Sequence, residues 1–248
     1  MKKRIFLALF ALLSARAACA YDRSVLAEYN DLYKNGNYQA ALDGYREMAA
    51  KEPDNPYAAY NAGNACFRLN KPGQAILFYS KAFRLAPRNP DIRNNLDFAM
   101  KRTGQSLVPE GMPKALHYLY YFLSDLELKA AAAILWWTVC LLLTVYALKT
   151  GLRGRLRGAL TASGMLFAAA LLWYIARSSS PFNNAAVITA EGSARLLSGP
   201  GETFKASATL PEARLVKVLD ETDDNYYEVG VQREGIKGWV QKSAAEKI

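Results

Sequence analysis

The spacing of apolar residues changes along the chain, and each regime predicts a different kind of element. Before Arg102 it is helical, as where Ile92, Leu96 and Met100 share one face. Ala130 to Leu148 and Ala159 to Ala176 are continuous apolar runs without a charged residue, each close to the roughly 20 residues that cross the hydrocarbon core of a bilayer. They are apolar around their whole circumference rather than on one stripe, which favours two transmembrane helices over a buried soluble hairpin. From Ala185 onward the chain carries short runs rich in β-formers, at 186–188, 195–197, 215–219, 226–229 and 237–240. Gly199-Pro200-Gly201 and Thr222-Asp223-Asp224-Asn225 punctuate them, and five strands over 185–248 predict a small all-β barrel.

The helical region repeats itself. Ala41 and Ala75, Tyr45 and Tyr79, and Pro53 and Pro87 each stand 34 residues apart, and Tyr29/Gly63, Leu32/Cys66 and Met48/Ala82 hold the same offset. That period belongs to a two-helix solenoid unit. Gly63, Ala75 and Ala82 suit close approach of paired helices, Tyr45 and Tyr79 fill the gaps between neighbours, and Pro53 and Pro87 stop each second helix. The copies run from Asp22 to Pro53 and from Tyr57 to Pro87, and the helix over 92–102 is expected to cover the open end of the stack.

In its second copy, through Asn61-Ala62-Gly63-Asn64-Ala65 and the run Gln74 to Ala82, the repeat resembles the tetratricopeptide family. The first copy has Tyr29 where the family prefers Gly or Ala, which predicts looser packing of its first helix. The resemblance implies a protein-binding groove lined by the first helix of each repeat. Its usual contact positions fall on Arg23, Leu26, Asn30 and Tyr33, then on Tyr57, Tyr60, Asn64 and Phe67. Asn30 and Asn61 resemble part of a clamp for a C-terminal carboxylate, but Leu26 and Asp91 stand where the clamp needs cations. Aromatic and amide contacts to an extended chain or a helix are the better expectation. Packing of the short stack is an equal alternative for Tyr57 and Phe67.

Lys2, Lys3 and Arg4 precede the apolar run Ile5 to Leu13, and Ala18-Cys19-Ala20 supplies small residues before Tyr21. This is the pattern of a signal peptide over 1–20, too short to span a membrane. Lipidation of Cys19 is an alternative, opposed by Arg16 three residues earlier. Between the apolar runs, the loop 149–158 carries Lys149, Arg153, Arg155 and Arg157 and no acid. The positive-inside bias puts that loop in the cytoplasm and both larger domains outside, in agreement with the signal peptide.

Composition fits this arrangement. The formal charge is +9, and cleavage after residue 20 removes the four cations Lys2, Lys3, Arg4 and Arg16 to leave +5. Four more lie in the basic loop, so the basic balance speaks of membrane orientation rather than nucleic-acid binding. Residues 21–103 are then the repeats with their covering helix and 104–112 a linker with Pro109 and two glycines. Pro113 to Leu123, with Tyr118, Tyr120, Tyr121 and Phe122, reads as a short helix in the headgroup region, and the linker and this helix together fill 104–129. Ser124 and Glu127 fit a capping box that starts the first span, and 177–184 links the second span to the β-segment.

No catalytic constellation emerges. Cys66 has no predicted base, His117 is the sole histidine and reads as a wet interfacial residue, and no metal-ligand cluster or phosphate-cradling glycine loop is present. The acids Asp220, Glu221, Asp223 and Asp224 read as a solvated turn. Cys19, Cys66 and Cys140 fall in different segments, so no internal disulfide is expected. We therefore expect no enzyme activity, cofactor or metal.

Ser198-Gly199-Pro200 after the second strand and Gly238-Trp239-Val240 near the end give 185–248 a resemblance to the bacterial SH3-like domain. Tyr226, Tyr227 and Trp239 are its candidate contact residues. Strand alternation keeps Tyr226 and Tyr227 from both being core, so one is expected exposed. Trp239 has two possible roles, closing the barrel core or lining a groove beside Gly238.

The order of signal peptide, repeats, two spans and SH3-like domain resembles the BatE-like members of the aerotolerance-operon (Bat) proteins. The resemblance implies a membrane-bound scaffold working with relatives that carry von Willebrand factor A domains and with a MoxR-type ATPase, linked to oxidative-stress tolerance or envelope integrity. A module that binds peptidoglycan and recruits a wall enzyme is the alternative.

Overall fold

The computed structural model describes residues 23–109, 111–178, 180, 182–231 and 234–248, with the side chains of Arg23 and Ser24 outside the description. The expected signal peptide over 1–20 lies outside the described residues. Helices α1 (Arg23–Lys34), α2 (Tyr38–Lys51), α3 (Pro56–Arg68), α4 (Pro72–Leu85) and α5 (Pro90–Arg102) form the repeat segment. α6 (Lys114–Tyr120) follows, then the long α7 (Asp125–Leu148) and α8 (Arg153–Ser178). Among the described residues seven strands follow: β1 (Ala185–Ile188), β2 (Ser193–Leu197), β3 (Ala206–Pro211), β4 (Leu215–Asp220), β5 (Tyr226–Val231), β6 (Ile236–Gln241) and β7 (Ala245–Lys247).

The 34-residue period extends into α5. Asn55-Pro56 and Asn89-Pro90 stand one period apart, and each asparagine caps its helix: Asn55 Oδ1 accepts from Tyr57 N at 2.9 Å and Asn89 Oδ1 from Asp91 N at 2.9 Å. Proline in the first turn sacrifices no hydrogen bond, because that N–H has no helical partner. α5 is thus the first helix of a third, incomplete unit. Beyond it the chain turns back at Gly104 (φ 71°) and carries Leu107 and Tyr121 into the core shared by the repeats.

The first helix packs more loosely than its counterpart, as expected: none of the described side chains of α1 is fully buried, whereas α3 buries six residues. A Cβ on Gly44 would lie 2.5 Å from the Tyr29 ring, so the ring rests on bare backbone of the second helix. In the next copy the sizes are exchanged: a Cβ on Gly63 would lie 2.6 Å from the Tyr79 ring, and Phe78 takes the position of Gly44. Either way one small residue per pair admits one aromatic, which keeps the density of the interior.

α4 is the hub of the molecule. Its buried residues run from Gly73 to Phe83 and include Ile76, Leu77, Phe78 and Tyr79. On its outer side sits the β-segment, with Val187 and Ala213 in the same apolar core and Leu215 and Ile248 packed against it. A Cβ on Gly73 would lie 2.5 Å from Ile188 O, so glycine is what lets helix and strand approach. Gln105 binds the β4 edge like a strand residue: Nε2 donates to Ala213 O at 2.8 Å and Oε1 accepts from Leu215 N at 3.0 Å. Lys81 and Glu246 pair at 3.0 Å across the same interface.

The end of α4 meets the base of the long helices. Phe83, Tyr121 and Phe182 stack with centroids 5.4 to 6.0 Å apart. Arg88 Nη2 lies 2.6 Å from Glu127 Oε1, and Arg84 reaches Asp125 at 3.5 Å. Arg177, 6% exposed, donates to Asp125 Oδ1 at 2.6 Å and to the carbonyls of Tyr120 and Leu123, while Tyr120 OH donates to Ala176 O at 2.6 Å. These contacts clamp α6 onto the end of α8. The Ser124–Glu127 capping box is present at the start of α7.

α7 and α8 are long and apolar enough to cross a membrane. Outside their mutual contact, marked by Trp136 and Phe167 at 5.4 Å, they leave Ile134, Trp137, Leu141, Leu148, Met165 and Leu172 exposed. So large a bare apolar surface is unusual for a protein surrounded by water.

The β-segment is one antiparallel sheet in the order β3-β2-β6-β5-β4-β1-β7. Among the described residues β3 and β7 are not hydrogen-bonded to each other, so the sheet is open where a closed barrel was expected. β3 and β7 were not predicted. β3 reads Ala-Ser-Ala-Thr-Leu-Pro, poor in branched and aromatic residues, and β7 spans three residues. A second core inside the sheet includes Ile188, Leu196, Leu210, Val218, Val229, Val231 and Val240.

Candidate protein-binding groove

The first helices of the three units, α1, α3 and α5, are stitched side by side through asparagines. Asn30 Oδ1 accepts from Tyr45 OH at 2.6 Å and from Asn61 Nδ2 at 3.4 Å. One period later Asn64 Oδ1 accepts from Tyr79 OH at 2.8 Å and from Asn95 Nδ2 at 3.0 Å. Each second helix donates a tyrosine hydroxyl to the asparagine of its own unit, and the next unit donates an amide. Asn95 Nδ2 also reaches Tyr60 OH at 3.0 Å. Burial pushes the Tyr79 phenol above its ordinary range, so it stays a neutral donor.

This ladder leaves one polar atom of each amide without a partner among the described residues: Asn30 Nδ2, Asn61 Oδ1, Asn64 Nδ2 and Asn95 Oδ1. All four asparagines are half-buried, so these atoms lie on an accessible face. Alternating amide donors and acceptors match the N–H and C=O groups of an extended main chain.

The other expected groove residues are placed as follows. Arg23 opens α1, its side chain outside the described residues. Leu26 and Tyr33 pack partly against the repeat core, and Tyr33 meets Tyr38 edge-on at 5.2 Å. Tyr57 is 56% exposed on the first turn of α3. Tyr60 leans on the Tyr79 ring at 6.0 Å, and Phe67 on Phe98 at 5.7 Å. Asn95 and the buried tyrosines Tyr45 and Tyr79 were missed as ladder members. The signal was available, because Asn30/Asn64 and Asn61/Asn95 are also 34 apart.

In the sheet, strand alternation divides the expected trio. Tyr227 pairs with Val240 and packs with Val229 and Val231 on the inner face. Tyr226 is buried on the opposite face beside Trp239, where Gln241 Nε2 approaches its hydroxyl at 3.5 Å. Neither tyrosine is fully exposed and Trp239 is half-buried. The space beside Gly238 belongs to β2: a Cβ there would lie 2.6 Å from Leu197 O and 2.8 Å from Leu196.

Cys66 is buried against Gln74, and desolvation pushes its thiol up to about 12. His117 is also buried rather than wet, against Tyr121 at 4.7 Å. Desolvation, then the Arg93 charge, holds its imidazole below the ordinary value. No group of three metal-ligating side chains occurs among the described residues.

Sequence similarity falls on the same helices as this periodic stitching. A tetratricopeptide repeat model matches residues 32–94. The match covers all of α2, α3 and α4, the two ladder tyrosines, and Asn61 and Asn64. Repeats of this kind serve as scaffolds for protein–protein interaction and are not typically catalytic. No curated protein matches the chain.

Proposed function

We propose that this protein is a non-enzymatic, membrane-anchored adaptor whose repeat groove holds a segment of a partner protein outside the cytoplasmic membrane. The observation that carries the proposal is the asparagine ladder, which presents unpartnered amide atoms along adjoining first helices at a fixed 34-residue interval. Leu26 lies where a carboxylate clamp needs charge, so a backbone-reading groove fits better than a terminus-reading one. The bare apolar sides of α7 and α8 support anchoring in lipid. The resemblance to Bat-type proteins makes a membrane protein with a von Willebrand factor A domain the preferred partner. The β-segment would then be a fixed second contact surface, since Gly73 and Gln105 tie it to the repeats.

Anchoring and orientation are tested with single cysteines in a cysteine-free chain, labelled in intact cells by a membrane-impermeant maleimide. A cysteine at Thr150 is expected to stay unlabelled until the cells are opened, and one at Asn94 to label from outside where the outer envelope is permeable. Labelling of Thr150→Cys in intact cells would contradict the proposed topology.

A further inference from the structure

Two arginines at the ends of first helices are held in a repeated arrangement that the amide ladder does not use. Arg68 closes α3 and Arg102 closes α5, 34 residues apart. The Arg68 guanidinium lies 4.4 Å over the Tyr38 ring, and Tyr38 packs against Tyr33. The Arg102 guanidinium lies 5.2 Å over Phe67, which stands one period after Tyr33. Both arginines are exposed, and among the described residues neither guanidinium has a carboxylate or hydrogen-bond partner. Lys71 lies next in chain beyond the same helix end and donates only to the neutral Gln39, at 3.3 Å.

A cation in the last helical turn suits the helix dipole, and Lys34 at the end of α1 needs no other explanation. Lys34 is neutralised by Asp31 at 3.1 Å, and Lys101 by Asp97 at 2.6 Å. Arg68 and Arg102 differ. A ring holds the guanidinium plane without cancelling its charge, which leaves its N–H groups oriented for a planar anion.

The direction of this row points it away from the apolar helices. Arg84 in the last turn of α4 and Arg88 in the turn just beyond it contact the base of α7. α3 and α5 run antiparallel to α4, so their C-terminal ends lie about 20 Å from that base, one helix length away. The row therefore borders the amide ladder at the end of the repeats remote from α7 and α8.

We propose that Arg68 and Arg102, with Lys71, receive the carboxylates of an extended acidic segment of a partner protein. The proposal rests on the groove binding a main chain, and it adds that the bound segment is rich in Asp or Glu. The ladder takes the backbone while the rim takes the acidic side chains.

The test uses the full chain in detergent micelles and fluorescein-labelled octaglutamate as the probe, followed by anisotropy, with octaglutamine as the neutral comparison. Octaglutamate is expected to bind saturably and more weakly as salt rises, and octaglutamine not to reach saturation. The double variant Arg68→Gln/Arg102→Gln should weaken octaglutamate binding about tenfold or more, as loss of two charge-assisted contacts requires. Arg68→Lys/Arg102→Lys should lose less, and Arg195→Gln on the sheet should change nothing. Circular dichroism and the thermal midpoint show whether each variant is folded. Absence of octaglutamate binding, or binding unchanged in the folded double Gln variant, overturns the proposal. If Asn64→Ala abolishes capture of a partner from membranes while the double Gln variant captures normally, the rim proposal fails and the groove proposal stands. Binding of phosphatidylglycerol vesicles through Arg68 and Arg102 without octaglutamate binding would also overturn it.

Discussion

Single residues decide how closely the repeats pack. A methyl group on Gly63 meets the Tyr79 ring at 2.6 Å, and the ring is fixed by its bond to Asn64. Gly63→Ala is therefore expected to destabilise the fold by about 1–3 kcal/mol, the ordinary cost of overpacking, and to lower the thermal midpoint; an unchanged midpoint would show that the ring moves freely. At Cys66 the thiol is buried and pushed up to about 12, so it is a neutral packing group. Iodoacetamide at pH 8 should leave Cys66 unmodified in the native chain and alkylate it after denaturation, as peptide mass mapping would show. Rapid native alkylation would mean an accessible thiolate.

His117 gives the molecule a predictable acid sensitivity. Its imidazole faces Arg93, Asp97, Tyr118 and Tyr121, and burial followed by the Arg93 charge depresses its pKa from 6.5. The unfolded chain binds a proton at a pH where the native chain still resists it. Stability is thus full above 6.5 and is lost as pH falls from there toward the depressed value. The thermal midpoint should drop between pH 7 and 5.5, and His117→Phe should flatten that part of the curve. An equal slope in the variant would assign the sensitivity to other groups.

At the scale of elements, regular features were legible in sequence and irregular ones were not. The first-helix and second-helix pattern, the Asn-Pro starts and the uncharged runs are local, so residue order alone exposes α1 to α5, α7 and α8. β3 escaped because Ala206, Ser207 and Ala208 carry no strand preference; it exists by pairing with β2. The Tyr29–Gly44 exchange escaped because the compensating glycine sits on the other helix of its unit. Half of the ladder was predicted through Asn30, Asn61 and Asn64, while the division of Tyr226 and Trp239 from Tyr227 depends on register. The contact of α4 with β1 has no sequence signal beyond Gly73. Gly73→Ala places a methyl 2.5 Å from Ile188 O, which neither backbone can avoid. We expect calorimetry of this variant to separate a lower transition for the sheet from that of the repeats, where the parent melts in one; a single unshifted transition would show that the interface tolerates the methyl.

At the scale of the whole molecule, repeats, sheet and long helices are not beads on a string. α4 touches all three, through Val187 and Ala213 on one side and Arg84, Arg88 and Phe83 at its end. The linkers expected at 104–112 and 177–184 are short of free play, because Leu107 and Phe182 are buried in that shared core. A groove fixed in this way would keep a constant orientation to the apolar helices, a useful property for an adaptor that holds partners near a membrane. The function proposed for the molecule turns on whether the amide face of the repeats binds a protein. Crosslinked capture from native membranes tests it most directly, with the parent chain compared with Asn64→Ala and Tyr60→Ala variants of matched expression and intact circular dichroism. A discrete partner band is expected with the parent and should fall severalfold in both variants; equal recovery of that band with all three proteins would show that this face is not the binding surface.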